Sequence, residues 1–285
     1  MSTRKNRLCA SCLKFNFNKT IKSSKNNKPR WLSKIDYVEE FINKYKNFSD
    51  NHPKKYTVKQ KIYVGKNLAN RKILFWGSKA ENNNIIPSDA KTAYGNFTNS
   101  GVATIDKNGN AQIKMLMPQN YKTIIKNEKN FKTFFRHFHY VISNRDKNMW
   151  LPNIYTKLLH NNFDFSGFKK KLQSNNYVVL NVLPCKYYAK DHINNTYNLP
   201  YTDIKKMDVK NLCSWIRDIV NIHYPKIKDL LNKNKLELYE VPIICYCAHN
   251  KCDASRIATE ELMKKGFVNV NLYEDGMKGY KENTK

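Results

Sequence analysis

From about residue 164 onward, short unbroken apolar runs alternate with longer stretches of helical periodicity, and nothing else in the chain narrows its fold so far. The order is SGFKKKLQ, YVVLNVL, VKNLCSWIRDIVNIHY, VPIICYC, SRIATEELMKK and VNVNLY. Runs such as VVLNVL and PIICYC are close to continuously apolar, so as strands they must be covered on both faces. Strands of that kind separated by helices predict a parallel sheet flanked by helices on both sides, an α/β domain over residues 161–285.

Upstream the texture changes. Between Tyr63 and about Ile142 stand the short β-type runs KILFWG, SGVATI, AQIKMLM and HFHYVI. DKNGN, between two of them, reads as a hairpin turn in which Gly109 and Asn110 tolerate positive φ. These runs predict an all-β unit, a β-sandwich. Ahead of it, Ile35, Val38, Phe41, Ile42 and Tyr45 recur at helical spacing, with Ser33 and Asp36 as a capping box. Residues 31–160 are therefore read as an amphipathic helix plus a β-sandwich. Residues 1–30, ending in KSSKNNKPR, carry too few apolar side chains to offset the entropy of ordering and read as a basic disordered tail. The fold class is multidomain, α/β plus all-β, and 285 residues suffice for two cores.

The formal charge of +28, from 51 Lys and Arg against 23 Asp and Glu, favours polyanionic partners such as nucleic acid. The lysines are scattered, however, and no nucleic-acid module accompanies them; AT-rich coding gives the same Lys, Asn, Ile and Tyr bias. The longest apolar runs fall short of a membrane span, and the N-terminal MSTRKNRLCASCLKFNF has no continuous apolar stretch of a secretory signal. Seven cysteines at irregular spacing fit free or catalytic thiols in a reducing, intracellular compartment, here the cytoplasm. Cys9 and Cys12 form a lone CxxC, without the second pair of a zinc knuckle.

The chemistry concentrates in CYCAHNKCDAS. Cys247 follows the strand VPIICYC, and a helix is expected to begin after Asp253, which can cap it. Loop and first-turn N–H groups converging there, with the helix dipole, favour an anion and hence a thiolate. Cys247 is thereby placed as a nucleophile of lowered pKa, in a loop of Ala248, His249, Asn250, Lys251 and Asp253. Cys245, two residues earlier on the strand, reads as a small core residue, and Cys252 as a resolving thiol or a small side chain at the helix start. Zinc held by Cys245, Cys247, His249 and Cys252 would need an unusual ligand spacing. Phosphatase chemistry shares the loop, but Arg256 lies too far beyond Cys247 to close it.

The stretch from Tyr246 to Tyr280 resembles the active-site half of a rhodanese domain. In that family a strand ends in the catalytic Cys, a Ser and Ala pattern opens the next helix, and GF-x-NV leads to GG-x-x-x-W. Here these are Cys247, Ser255 and Ala258, then Gly266, Phe267, Asn269 and Val270, then Gly276 and Tyr280. KDHINNTYNLPY, with His192, Ile193, Asn198, Leu199 and Pro200, is similar to the family's GHIPGAxNLPY, and YVVLNVLPCKYY resembles VVLIDVRxxxEY. The resemblance implies a rhodanese-like parallel sheet of about five strands. It also implies sulfurtransferase chemistry: Cys247 accepts a sulfane sulfur as a persulfide and passes it to a thiol or other nucleophile, with Cys252 able to resolve it. No cofactor is implied. Two departures stand out. Asn181 and Leu183 replace the Asp and Arg of DVR, removing an ion pair, and the loop from Cys247 to Ser255 is longer than the commonest one and lacks its basic residue, for which Lys251 is a substitute.

In RHFHY, His137 and His139 fall on one face of a strand, where they could share a metal. SGVATIDKNGNAQIKMLMPQNYKT, then RHFHYVI and WLPNIYTKLL, faintly resemble the core of intradiol dioxygenases over residues 60–160. That family binds ferric iron through two Tyr and two His; Tyr121, His137 and His139 carry over, and Tyr94 is the second Tyr by position alone. The resemblance implies the β-sandwich before the iron. The functional reading is thus a rhodanese-like sulfurtransferase. The alternative is a non-catalytic binding or structural protein using both units as scaffold. Composition and this pairing of units are also similar to proteins of large DNA viruses, which would place the chain in host cytoplasm or a virion.

Overall fold

The structure is a computed structural model, and it describes residues 20–23, 36–80, 86, 89–124 and 131–284. Cys9, Cys12, Ser33 and Ile35 lie outside the described residues. The chain divides into two compact units, residues 1–159 and 160–285. No helix among the described residues is long and apolar enough to cross a membrane.

The first unit contains β1 (Ile21–Ser23), α1 (Asp36–Lys44), β2 (Val58–Tyr63), β3 (Lys72–Gly77), α2 (Ala90–Tyr94), β4 (Ser100–Thr104), β5 (Asn110–Met115), β6 (Tyr121–Ile124), β7 (Phe131–Phe134), β8 (His137–Ile142) and β9 (Ile154–Leu158). A five-stranded antiparallel sheet runs β1-β9-β8-β3-β4, and β2-β5 and β6-β7 form separate antiparallel pairs. The expectation of β-structure is met as antiparallel sheets. Residues 21–23, read above as part of a disordered tail, instead pair with β9.

The DKNGN turn is built by Asp106, whose Oδ1 accepts the N–H groups of Asn108 at 2.8 Å and Asn110 at 2.9 Å. Gly109 alone takes positive φ there, +80°; Asn110 does not, contrary to expectation. Nor is the turn an ordinary hairpin. One bridge, Ile105 to Ala111, joins its arms, and β4 and β5 then enter different sheets. The apolar core accordingly draws on both: Ile73, Phe75, Phe138, Tyr140 and Ile142 from the large sheet, and Val58, Ile62, Ile113 and Met115 from the β2-β5 pair. Alternation along β8 sends Phe138, Tyr140 and Ile142 into that core, and His137 and His139 to the other face, where they are also buried.

The second unit contains β10 (Asn161–Asn162), α3 (Phe165–Ser174), β11 (Val178–Asn181), α4 (Cys185–Lys190), β12 (Tyr197–Asn198), α5 (Tyr201–Lys206), α6 (Val209–His223), α7 (Pro225–Asn232), β13 (Ile243–Tyr246), α8 (Ala254–Lys264), β14 (Val270–Tyr273) and α9 (Gly276–Thr284). Its sheet, β10-β14-β13-β11-β12, is parallel throughout, as the continuous apolar runs require. Local signals set the helix ends. The carboxylates of Asp164 and Asp208 cap α3 and α6, each accepting the N–H three residues on, and Asn175 closes α3 in the left-handed region. Leu212, Ile216 and Val220 form the buried stripe of α6.

One face of the sheet packs Phe168, Tyr177, Val179, Ile193, Ile244, Tyr246 and Tyr273, with Phe168 and Tyr273 stacked at 4.1 Å. Ile243 and Cys245 point to the opposite side. Where the sequence lacks an Asp–Arg ion pair, amides hold the strand end instead. Asn181 Oδ1 accepts the Leu183 N–H at 3.0 Å, and the Asn198 side-chain amide donates to the carbonyls of Asn181 and Leu183 at 3.0 and 2.8 Å. Three neutral hydrogen bonds, each worth about 1 kcal/mol net, replace one charged contact without its desolvation penalty.

Candidate active site

Strand β13 is the middle strand of its sheet, and Cys247 is the first residue beyond it. Its sulfur therefore emerges at the carboxyl edge of a parallel sheet, where open α/β folds place their ligands. Two backbone hydrogen bonds fix the departing chain: Met277 N–H donates to the Cys247 carbonyl and Lys278 N–H to the Ala248 carbonyl, both at 2.9 Å. Close approach of α9 to the loop is possible because residue 276 is glycine, at φ +60°. A Cβ there would fall inside the Cys247 carbonyl and 2.9 Å from the Ala248 carbonyl carbon. Gly276→Ala is expected to cost about 2–4 kcal/mol, from left-handed strain plus that overlap. Thermal unfolding checks the loss, and alkylation of Cys247 should accelerate as the loop loosens; an unchanged unfolding midpoint would contradict the clamp.

Around the sulfur the arrangement departs from the expected cradle of N–H groups. Cys247 Sγ donates to the Cys252 carbonyl at 3.2 Å and, more distantly, to the His249 carbonyl at 3.8 Å, and it lies 3.3 Å from Ser255 Oγ. Burial raises the Cys247 thiol above its ordinary range; hydrogen bonds from the Ser255 hydroxyl and N–H pull it down, and the neighbouring Cys252 thiol pushes it up again. The expectation of a lowered pKa is thus reversed. Burial is the main reason, and the long loop adds to it by folding back on itself: Cys252 N–H is spent on the His249 carbonyl at 2.9 Å, so Ser255 supplies the hydrogen bonds that favour the thiolate.

The sign of the shift has a kinetic consequence. A raised folded-state pKa stabilises the protein below the unfolded thiol value, and that contribution is lost as pH rises toward the folded value. Alkylation of Cys247, read on its peptide, should keep accelerating above an ordinary thiol pKa of 9.0. A plateau below that pH would contradict the buried-thiol geometry.

The other loop residues divide by role. His249, Asn250 and Lys251 are exposed, with His249 Nδ1 accepting the Lys251 N–H at 3.2 Å. Helix α8 begins at Ala254 as expected, but Asp253 makes no cap hydrogen bond; its carboxylate pairs with Arg256 instead. Cys245 is core, its thiol pushed up to about 12 by burial. Among the described residues no group of three or more His, Cys, Asp and Glu side chains is placed to hold a metal. An open cleft of about 230 Å³ lies beside the loop, lined by His249, Asn250, Asp275, Lys278 and Glu282.

In the first unit, His137 and His139 meet two phenols. Tyr94 Oη is 3.1 Å from each Nε2 and 3.4 Å from Tyr121 Oη. The two Nε2 atoms are 3.1 Å apart, and Tyr121 Oη is 3.4 Å from His137 Nε2. The far ring nitrogens are held as well, His137 Nδ1 on the Phe135 carbonyl at 2.6 Å and His139 Nδ1 on Thr156 Oγ1 at 2.7 Å. All four side chains are buried, and burial holds both imidazoles in the neutral form, His137 down to about 4 and His139 well below its ordinary value. Tyr94, assigned from position alone, joins the group; Thr156 was not foreseen, though it sits directly opposite His139 in the β8-β9 register.

A family described as the rhodanese-like domain matches residues 165–283. Three solved structures are similar to this chain. An uncharacterised protein from Saccharomyces cerevisiae is 20% identical, the match covering 44% of this chain and 92% of that one, with a TM-score of 0.32. A single-domain sulfurtransferase from the same yeast is 13% identical, covering 44% and 91%, at a TM-score of 0.32. The human single-domain sulfurtransferase is 13% identical, covering 43% and 95%, at 0.31. No curated protein matches. Residues 165–283 form a rhodanese-like domain.

Proposed function

We propose that the C-terminal domain is a sulfurtransferase whose acceptor is Cys247. The observation that carries this reading is the position of one sulfur, at the exit of the central parallel strand, against the first turn of α8, and 3.3 Å from Ser255 Oγ. In the resting loop the thiol is protonated and donates to two carbonyls. Loss of the proton turns those carbonyls into repulsive neighbours, so the loop must open as the nucleophile forms. Ser255 then supplies the hydroxyl and N–H that stabilise the thiolate.

The thiolate attacks the sulfane sulfur of a donor such as benzenethiosulfonate; a sulfur–sulfur bond forms on Cys247, and the leaving group departs as benzenesulfinate with the electron pair of the broken bond. An acceptor thiolate next attacks the terminal sulfur, taking it and returning Cys247 to the thiolate. Turnover of benzenethiosulfonate with dithiothreitol by the full chain tests the reading. Sulfide release above the uncatalysed rate supports it; a rate equal to background would favour a scaffold.

A second reading is favoured by the Tyr94, Tyr121, His137 and His139 cluster, which we read as a metal site within a β-sandwich. The Oη atoms of Tyr94 and Tyr121 and the two Nε2 atoms stand 3.1 to 3.4 Å apart in five pairs, so these four side chains would hold one ion between them. Neutral imidazoles with anchored Nδ1 atoms are the ligand form, and two phenols suit a hard, highly charged ion such as ferric iron. When bound, such an ion supplies Lewis acidity. The protein's own part is to hold the four donors together, with Phe135 and Thr156 fixing the two rings.

A further inference from the structure

The Cys247 side chain has no exposed surface. Once the loop has closed again over a sulfur loaded there, a thiol of the loop is better placed to attack than one in solution. Cys252 is the group in place. Its carbonyl oxygen accepts from Cys247 Sγ at 3.2 Å, and its thiol is a hydrogen-bonding neighbour of the Cys247 thiol. The turn closed by Cys252 N–H on the His249 carbonyl holds it in that position, and Cys252 is partly exposed where Cys247 is not. The remaining described thiols are poorer candidates. Cys245 is buried in the strand, and Cys185 and Cys213 stand on α4 and α6.

Resting on the persulfide reading above, we infer that Cys252 resolves the Cys247 persulfide: the sulfane sulfur leaves as hydrosulfide, and the loop closes into a Cys247–Cys252 disulfide. The Cys252 thiolate attacks Cys247 Sγ. A bond forms between the two cysteine sulfurs, the bond from Sγ to the terminal sulfur breaks, and the terminal sulfur departs with that electron pair as hydrosulfide. Two cysteine sulfurs are together oxidised by two electrons and the sulfane sulfur is reduced by two, so no outside oxidant enters. Restoring the loop requires a dithiol reductant, which attacks the disulfide and becomes a disulfide itself. The domain therefore releases sulfide once per reduction, and the supply of dithiol sets its rate.

The test uses the full chain, reduced, freed of reductant, and given one equivalent of benzenethiosulfonate. Wild-type protein is expected to release one hydrosulfide per chain and to end two hydrogens lighter, with the peptides bearing Cys247 and Cys252 linked. Cys252→Ser is expected to release none and to end one sulfur atom heavier on the Cys247 peptide. If wild type also keeps the added sulfur and releases no hydrosulfide, the resolving role is overturned while the persulfide reading stands. If neither protein gains sulfur nor releases it, both fall. Cys213→Ser, behaving as wild type, controls for thiol number.

Discussion

Cys247→Ser protein is expected to transfer sulfur from benzenethiosulfonate to dithiothreitol at the uncatalysed rate, a loss of at least ~10³-fold against wild type. The size follows from the chemistry. Every step passes through a covalent sulfur–sulfur bond on one atom, and a serine hydroxyl neither ionises in this pH range nor forms that bond. The fold should be retained, because serine is nearly the same size and can donate to the same Cys252 carbonyl and Ser255 hydroxyl that the thiol meets. Circular dichroism and the unfolding midpoint therefore serve as the control. Ser255, the group that lowers the Cys247 pKa, offers the graded comparison. Ser255→Ala should slow transfer by roughly 10-fold, the scale of one lost hydrogen bond to a charged sulfur, without abolishing it. Equal activities of wild type and Cys247→Ser would move the chemistry away from this loop.

The second large effect concerns the buried cluster of the first unit. Full chain incubated with ferric iron and then desalted is expected to retain about one ion per chain and to show visible tyrosinate-to-metal absorption. At a free concentration about 100-fold above Kd, binding should stabilise the folded state by about 2.7 kcal/mol, visible as a rise of several degrees in the unfolding midpoint. Tyr94→Phe and Tyr121→Phe should each weaken the absorption, since each deletes one phenol, and the double substitution should abolish it. His139→Ala should remove retention outright. Thr156→Val, which loses the 2.7 Å contact with His139 Nδ1, should weaken affinity by roughly 10–100-fold, with Thr156→Ser restoring it. Absence of retained iron and of visible absorption in wild type would end the metal reading.

How far these sites could be read from the residues differs between the two units. In the second unit, continuous apolar runs and capping residues such as Asp164 and Asp208 are local signals, and the structure follows them strand by strand. The position of Cys247 was legible for the same reason: a strand end and a helix start bracket it. Its electrostatics were not. Whether loop N–H or C=O groups face the sulfur depends on how a long loop closes, and the Cys252 to His249 hydrogen bond that decides it is not encoded by any spacing. Nor did the sequence disclose that Asp253 would turn to Arg256 instead of capping α8.

In the first unit the His137 and His139 pairing followed from strand alternation alone. The phenols came only from the family resemblance, Tyr121, and from position, Tyr94, because they reach the pair from β6 and α2 and no local periodicity brings them there. A three-residue strand, Ile21–Ser23, was likewise invisible within a polar segment, since pairing to β9 is a tertiary event.

The central claim is a sulfur atom on one residue. Cys252→Ser full chain, treated with one equivalent of benzenethiosulfonate, alkylated and digested, locates that atom by peptide mass. The account predicts one added sulfur on the peptide that carries Cys247 and none on those carrying Cys185, Cys213 or Cys245 alone. Sulfur found on another cysteine, or on none, would contradict it.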